Sequence, residues 1–252
     1  MTIHQITFSP TGGTRRASEF LCKGFNAKST ITELCTQEEN LNYPNIAADD
    51  LVVISMPVYA GRVPALAVER LNNVISNGAK CVIIAVYGNR AYEDALIEMQ
   101  DVATEMGFQV IAAIPAIAEH SVCRMYATGR PDDIDAKELA AFSVTILEKI
   151  KGNKPFAPLA LPGNRPYKQG CTGPFPTAND NCTDCGTCAS QCPTGAIALD
   201  NPKGNNNELC IGCMRCVSVC PVHARGIGER LNMLAELLKP LCSDRKQNEL
   251  FV

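Results

Sequence analysis

The cysteines are the residues of this chain whose number and spacing point most directly to chemistry. Eight of the 14 form two copies of one pattern, Cys-x2-Cys-x2-Cys-x3-Cys-Pro. The first copy comprises Cys182, Cys185, Cys188 and Cys192, and the second comprises Cys210, Cys213, Cys216 and Cys220. Thiolates at this spacing can bind the corners of a cubane [4Fe-4S] cluster. The pattern therefore predicts a compact iron–sulfur unit over residues 179–226.

Each run of three closely spaced cysteines leaves one corner of a cubane to be filled from elsewhere in the chain. In the bacterial form of this run, the fourth cysteine binds the other cluster of the pair. The first cluster is then expected to use Cys182, Cys185, Cys188 and Cys220, and the second Cys210, Cys213, Cys216 and Cys192. Two structural zinc sites are the alternative, but zinc has no use for a third cysteine in register or a repeated Cys-Pro.

The overall composition narrows the class of protein. The 252 residues are 46% hydrophobic and 19% charged, which is enough for a packed core. A net charge of −3 and an aromatic content of 6% without Trp argue against a nucleic-acid or membrane surface. The longest apolar runs fall short of the ~18 residues that a membrane helix needs. We therefore expect a cytoplasmic protein, whose cysteines stay reduced.

The other six cysteines are scattered along the chain. Cys22 and Cys81 lie in apolar patterns, which is typical of core residues. Cys123 and Cys171 fall in predicted loops, where either one could lie near a cofactor, although nothing in their spacing requires it.

A second candidate site follows the first apolar run, where the chain reads Ser9-Pro10-Thr11-Gly12-Gly13-Thr14. A strand that runs into such a turn and opens a helix offers hydroxyls, N–H groups and the positive helix end to a phosphate. The segment matches neither the triphosphate loop nor the dinucleotide loop motif. An ordinary turn capped by Thr11 or Thr14 is the alternative.

The second candidate site must be positioned by residues 1–151, in which strand-like and helix-like segments alternate. Strands are predicted at 3–8, 30–34, 51–56, 80–86 and 109–114, and helices near 14–26, 64–77, 92–106 and 134–151. Apolar strands that alternate with helices predict a doubly wound, parallel α/β sheet that is covered on both faces.

The rest of the chain divides into a linker, the cysteine unit and a C-terminal segment. Residues 152–178 hold six prolines, four glycines, three basic residues and no acidic one, which predicts an extended linker. Residues 1–151 hold 18 acidic and 13 basic residues, so we expect the linker to lie along that domain. Residues 227–252 are expected to form one amphipathic helix at 228–238 and a frayed tail.

The segment Ser9–Thr14 resembles the phosphate loop of flavodoxins, which have a sheet of strand order 2-1-3-4-5. In such sheets ligands bind at the carboxyl ends of the strands, where segments 57–64 and 87–92 also fall. The resemblance implies an FMN site, with Tyr59 stacked on the ring and Tyr87 or Tyr92 on its other side. The implied contacts are Ser9, Thr11, Gly12, Gly13, Thr14, Pro57, Val58, Tyr59, Gly61, Tyr87, Gly88, Asn89, Arg90 and Tyr92.

Two further residues are candidates for catalysis at the same edge. His120 follows the fifth predicted strand and could donate a hydrogen bond or a proton to the flavin or a substrate. Arg62 could contact either group. A structural histidine and a solvated surface arginine are the alternatives.

Together, the motifs resemble those of a flavodoxin-like domain fused to a bacterial-type two-cluster [4Fe-4S] ferredoxin, an arrangement found in anaerobic bacteria. The resemblance implies an iron–sulfur flavoprotein that transfers electrons between two clusters and FMN. Its expected partner is a redox protein, which is either a ferredoxin or an enzyme that acts as reductase or acceptor. The protein could also form a homodimer. The alternatives are an FMN-dependent reductase of a small organic acceptor and a flavin-free redox-sensing or binding protein.

Overall fold

The computed structural model describes residues 1–37, 41–152, 157–170 and 173–252. Its first domain is a parallel sheet of order β2-β1-β3-β4-β5, which confirms the predicted doubly wound fold. The strands are β1 (Ile3–Thr7), β2 (Ser29–Glu33), β3 (Leu51–Pro57), β4 (Lys80–Tyr87) and β5 (Gln109–Ile117). The helices are α1 (Gly13–Gly24), α2 (Ala65–Leu71), α3 (Ala95–Glu105) and α4 (Asp133–Lys151).

Helices cover both faces of this sheet, which explains why β3 and β4 are apolar almost throughout. One face buries a cluster that includes Ile54 of β3 and Leu71 and Leu96 from α2 and α3. The opposite face buries a second cluster, which includes Leu21 of α1 and Leu139 of α4. Because the strands are parallel, the loops after β1, β3, β4 and β5 meet at one edge of the sheet. The strand order reverses between β1 and β3, which is the place where ligands bind in such sheets.

Helix α2 is shorter than the sequence pattern predicts. It ends at Leu71 rather than near residue 77. Two asparagines follow it, and asparagine is a weak helix former because its amide competes for backbone hydrogen bonds. Asn77 and Gly78 then take positive φ angles of 48° and 73°, which turn the chain into β4.

The C-terminal segment is more ordered than the sequence predicts. Helix α7 (Arg230–Cys242) continues through Pro240, and the predicted fraying of the tail is wrong. Phe251 forms an antiparallel bridge with Ala113 of β5, with two N–H···O bonds of 2.9 Å. The Asn248 amide oxygen accepts a 2.9 Å bond from the backbone N–H of Ile117. The tail therefore covers the open edge of β5.

The cysteine unit is small and is joined to the first domain by the linker. Strands β6 (Thr177–Ala178) and β7 (Arg225–Gly226) pair antiparallel, so this pairing begins two residues before the predicted boundary at 179. The helices α5 (Thr187–Ser190) and α6 (Arg215–Ser218) each contain the third cysteine of a motif.

The described part of the linker lies along the acidic first domain, as expected from its charge. The Arg165 guanidinium bonds Asp101 at 2.8 Å, and the Lys168 amide bonds Asp94 at 2.7 Å. Residues 153–156 and 171–172 of the predicted linker, and therefore Cys171, lie outside the described residues.

Candidate functional site

The loops after β3, β4 and β5 line a cavity of about 220 Å³ at the carboxyl edge of the sheet. The lining includes seven of the predicted residues, namely Val58, Tyr59, Gly61, Tyr87, Gly88, Arg90 and His120. Other walls come from outside the first domain, namely Gly173, Pro174, Ile211, Gly212, Leu234 and Leu238. Because Ile211 and Gly212 lie inside the second cysteine motif, the cavity lies between the sheet edge and that motif.

A second cavity, of about 310 Å³, lies beyond the N-terminus of α1. Thr11, Gly12 and Gly13 line it, and Ser121 lines both this cavity and the first one. Gly12 takes a φ of +92°, which glycine adopts without steric cost, and no side chain caps the helix. The turn is braced from behind by the Ser9 hydroxyl, which accepts a 2.9 Å bond from the Arg15 amide.

The second cavity carries an excess of positive charge. Arg16, Arg124 and Arg130 line it together with a single carboxylate, that of Glu119. Arg130 is fully engaged by the buried Asp135, and Arg124 lies 3.4 Å from Glu119. Among the described residues, the Arg16 guanidinium makes a long 3.5 Å bond to a backbone carbonyl and a contact with the Phe20 ring. An uncapped helix end beside these cations suits a phosphate group.

His120 lines the first cavity in a defined protonation state. Its Nδ1 accepts backbone N–H bonds from Val122 at 3.2 Å and Cys123 at 3.1 Å. Two donors at Nδ1 require a lone pair there, so the proton of the neutral ring is on Nε2. Burial, followed by the nearby Arg90 charge, lowers the pKa of His120 from its ordinary value. At neutral pH the ring can therefore donate a hydrogen bond from Nε2 but holds no extra proton to transfer.

Gly88 packs directly against His120. A Cβ atom at Gly88 would lie 2.7 Å from His120 Cδ2 and 2.8 Å from His120 Cα, closer than such atoms approach. We expect Gly88→Ala to displace the loop and, for the FMN site that the sequence resemblance implies, to weaken FMN binding at least tenfold, about 1.4 kcal/mol. Fluorescence titration of the flavin-free protein measures this change. Gly152→Ala, whose Cβ would meet only ordinary contacts of 3.5 Å, is the control and should bind FMN as the wild type does.

Arg62 does not line the cavity and is engaged elsewhere. Its guanidinium binds Glu98 through two bonds of 2.7 and 2.6 Å and donates a third bond to the Lys168 carbonyl. It also lies over the Tyr167 ring, 4.8 Å from the centroid. The structure therefore gives Arg62 a role in holding the linker against the first domain, and of the two candidate catalytic residues only His120 lies at the cavity.

Asn89 and Tyr92 also lie away from the cavity, although both are in the predicted loop. Asn89 has a φ of +65°, and its amide group donates to the carbonyls of Cys242 and Asp244 at 2.8 and 2.7 Å. It therefore anchors the end of α7. Tyr92 packs edge-on against Tyr87 with centroids 5.4 Å apart. Ser9, Thr14 and Pro57 are buried behind the loops that they support.

Tyr59 lies between the first cavity and the second cysteine motif. Burial, together with the neighbouring Cys213 and Cys35 thiols, raises the pKa of its phenol well above the ordinary value. Its backbone forms a tight turn with Arg62, with reciprocal N–H···O bonds of 2.8 and 3.1 Å. The turn holds the backbone of Tyr59 at the wall of the cavity.

The second set of predicted ligands is gathered around Cys213. Burial raises the pKa of the Cys213 thiol to about 12, and interactions with Cys216, Cys192 and Cys210 add to the rise. Burial likewise raises the pKa of Cys216 to about 11, with the Arg225 charge opposing it. Cys192 of the first motif thus lies within electrostatic range of Cys213, as do Cys210 and Cys216 of the second. Four thiolates are the donor set that a cubane cluster requires.

The first set lies nearer the surface. Cys185 is exposed, Cys182 is half-buried, and Cys188 and Cys220 are buried. The Cys220 sulfur accepts a 3.2 Å bond from the Ala224 amide. Hydrogen bonds with Thr187 lower the pKa of Cys185. Every cysteine among the described residues is a free thiol, and Cys22, Cys81 and Cys123 are buried in apolar clusters.

Two arginines that the sequence did not single out join the domains. Arg215, beside Cys216, donates to the Gln191 carbonyl at 3.1 Å and to the Pro10 carbonyl of the turn after β1 at 3.2 Å. Arg70 donates to the Pro193 carbonyl at 2.8 Å, directly after Cys192. Their partners are backbone carbonyls, so the sequence carries no signal for these contacts. Arg70 thus joins the first domain to the end of the first cysteine motif, and Arg215 joins the second motif to the turn after β1.

In the described ranges, no group of three or more His, Cys, Asp or Glu side chains is arranged to hold a single metal ion. A cubane distributes its thiolates over four irons and is a different arrangement. No helix in the part of the chain that the structure describes has the length and apolar character to cross a membrane.

Comparison with known proteins gave matches to both parts of the chain. Residues 181–225 match the family model of the 4Fe-4S dicluster domain. The search of curated proteins found no match. Among solved structures, an archaeal flavodoxin shares 18% identity over 60% of this chain and 99% of its own, with a TM-score of 0.43. Two-electron reduced Megasphaera elsdenii flavodoxin shares 16% over 57% and 98%, with a TM-score of 0.41.

The assignments of the two parts of the chain thus rest on separate observations. The assignment of the first domain rests on its sheet topology, and that of the cysteine unit rests on its sequence. The strand order β2-β1-β3-β4-β5 is that of the flavodoxin-like fold. The cysteine unit is similar to 4Fe-4S dicluster domains over residues 181–225. The chain fits a flavodoxin–ferredoxin fusion, in which a flavodoxin-like domain precedes a 4Fe-4S domain.

Proposed function

We propose that this protein carries two [4Fe-4S] clusters and FMN and transfers electrons between them. The observation that carries the proposal is the wall of the first cavity, which Tyr59 and His120 share with Ile211 and Gly212 of the second cysteine motif. A group bound in the cavity would contact the ligand loop of the second cluster. When bound, the clusters supply one-electron transfer and FMN supplies one- or two-electron transfer.

The two cavities fit the two ends of FMN. The cavity beside Gly12 and Arg16 offers a helix N-terminus and cations for the phosphate. The cavity beside Tyr59 and Tyr87 offers aromatic faces for the ring, and the neutral His120 offers one hydrogen-bond donor. Ser121 lines both, so one molecule can extend from one to the other.

The cluster ligands are assigned by crossed ligation. Cys182, Cys185, Cys188 and Cys220 would hold the first cluster, and Cys210, Cys213, Cys216 and Cys192 the second. The interactions of Cys213 with Cys192, Cys210 and Cys216 support the second set. Because Cys185 is exposed and Ile211 faces the flavin cavity, the first cluster is assigned to exchange with a partner and the second with FMN.

The covered cavity favours electron transfer over reduction of a small organic substrate. Such a substrate would have to reach the ring through sides of the cavity that are lined by Ile211 and Gly212 and by Leu234 and Leu238 of α7. Arg62, a candidate substrate contact, is bound to Glu98 instead. We therefore assign a redox protein as partner, either a ferredoxin or a reductase or acceptor enzyme, in the cytoplasm.

Cofactor analysis on one anaerobically purified sample tests this proposal. Iron, acid-labile sulfide and released flavin are measured together with the absorbance spectrum. We expect about eight irons, as two cubane clusters require, and one FMN per chain. Full iron without flavin, even after FMN is added, would leave the flavin-free redox sensor as the function. Zinc in place of iron and sulfide would overturn the cluster assignment.

A further inference from the structure

Arg225 belongs to neither cysteine motif, yet it contacts one predicted cluster ligand, Cys188, against whose buried cluster a ligand of the other set, Cys216, packs. Arg225 lies in β7 and is only 4% exposed. Its Nη1 donates to the Cys188 sulfur at 3.6 Å. Cys216 packs against the buried cluster that contains Cys188, and the Arg225 charge opposes the rise in the pKa of the Cys216 thiol. Cys188 is assigned to the first cluster and Cys216 to the second, so a single guanidinium lies between the two ligand sets.

The environment of Arg225 leaves its positive charge without a protein counter-ion. Both terminal nitrogens donate to backbone carbonyls, Nη1 to Pro202 at 2.6 Å and Nη2 to Pro176 at 3.4 Å and Gly204 at 3.3 Å. Within the described ranges, no carboxylate pairs with the guanidinium. Its Nε is buried and has no hydrogen-bond partner among those residues. A buried cation with an unused donor is costly unless an anionic acceptor lies beside it.

We propose that Arg225 is the shared counter-charge of the two clusters and raises the reduction potential of both. The inference rests on the proposed function, because it requires two bound clusters. A cubane with four thiolate ligands is a polyanion, and its sulfurs accept hydrogen bonds. Each cluster gains one electron and no proton on reduction, while an arginine guanidinium stays protonated in proteins. The fixed positive charge therefore favours the reduced form of each cluster.

The size of the expected shift in reduction potential follows from the burial of the Arg225 guanidinium. A charge interaction in the protein interior is several times stronger than one across water, because the effective dielectric constant is lower. A surface cation near the same motif has a much weaker influence. Lys203 provides this comparison, because its side chain is 52% exposed and bonds Asp184 at 3.2 Å, beside the first motif.

The test is a potentiometric titration followed by electron paramagnetic resonance on the wild type, Arg225→Gln and Lys203→Gln. Both variants remove one positive charge from the same unit. We expect Arg225→Gln to lower the reduction constant of each cluster about tenfold, about 59 mV for a one-electron couple. Lys203→Gln should change neither by more than a small fraction of this. Arg225 is not the shared counter-charge if its variant shifts neither cluster, or only one, beyond the Lys203 variant.

Iron and sulfide analysis separates this result from a failure of the proposed function. A wild type without two clusters refutes the proposed function itself. If only Arg225→Gln loses its clusters, Arg225→Lys replaces it, because the charge is kept on a shorter, unforked group. We then expect both potentials to fall, by less than tenfold in the reduction constant, because the shorter side chain holds the charge farther from both ligand sets. Two unchanged potentials, or loss of iron from the lysine variant also, would overturn the inference.

Discussion

Cys192→Ala is expected to remove the second cluster, although Cys192 belongs to the first motif. Cys213 interacts electrostatically with Cys192 as well as with Cys210 and Cys216, which supports the proposed crossed ligand set. Loss of one of four ligands destabilises the cluster, and it also loosens the unit, because crossed ligands tie its two halves together. We expect the signal and potential of the second cluster to be lost or strongly altered in the paramagnetic resonance titration.

Pairwise combinations show which cluster Cys192 serves. Cys192→Ala with Cys213→Ala should cost no more iron than Cys213→Ala alone, because both residues serve one cluster. Cys192→Ala with Cys188→Ala should cost the iron of both clusters. Cys22→Ala, a core cysteine of α1, is the control and should keep all the iron. The opposite pattern, with Cys188 and Cys192 acting as one unit, would contradict crossed ligation.

Arg16→Glu is expected to weaken FMN binding about 100-fold, which is about 2.7 kcal/mol. Arg16 lines the cavity at the N-terminus of α1, where it makes a long bond to a carbonyl and a contact with the Phe20 ring, and no carboxylate of the described residues pairs with it. The substitution replaces an attraction for the phosphate with a repulsion next to the positive helix end. Titration of flavin-free protein with FMN measures the loss, and added salt should reduce the difference between variant and wild type.

Arg15→Glu is the matched control for this substitution. It makes the same charge change one residue away, but Arg15 points to Glu19 at 2.8 Å and does not line the cavity. It should keep FMN affinity within a few fold of wild type. Riboflavin, which lacks the phosphate, should bind the two variants equally. Equal losses of FMN affinity in both variants would show that the phosphate does not lie beside Arg16.

The sequence predicts the strands and the location of the cysteine unit well because their signals are local. Apolar runs identify β3 and β4, and the repeated cysteine spacing identifies the cysteine unit. The position of the cavity follows from topology, since the loops of a parallel sheet meet at one edge. Tyr59 and His120 could therefore be placed at that edge before the structure was known.

Side-chain direction and domain docking could not be predicted in this way. Asn89 lies in the expected loop, but its positive φ directs its amide to the end of α7 rather than to the cavity. Arg62 is drawn to Glu98, 36 residues away. Arg70 and Arg215 bind carbonyls of Pro193 and Pro10, an acceptor type that every residue carries. The wall that the second motif gives to the cavity depends on such long-range contacts.

The central claim is that electrons pass directly between the second cluster and FMN within one chain. Flash photoreduction that injects less than one electron per molecule, followed by absorbance, tests it most directly. We predict a phase in which the electron redistributes between cluster and flavin at a rate independent of protein concentration, and no such phase in Cys192→Ala. A rate that rises with concentration, or an unchanged phase in Cys192→Ala, would contradict the account.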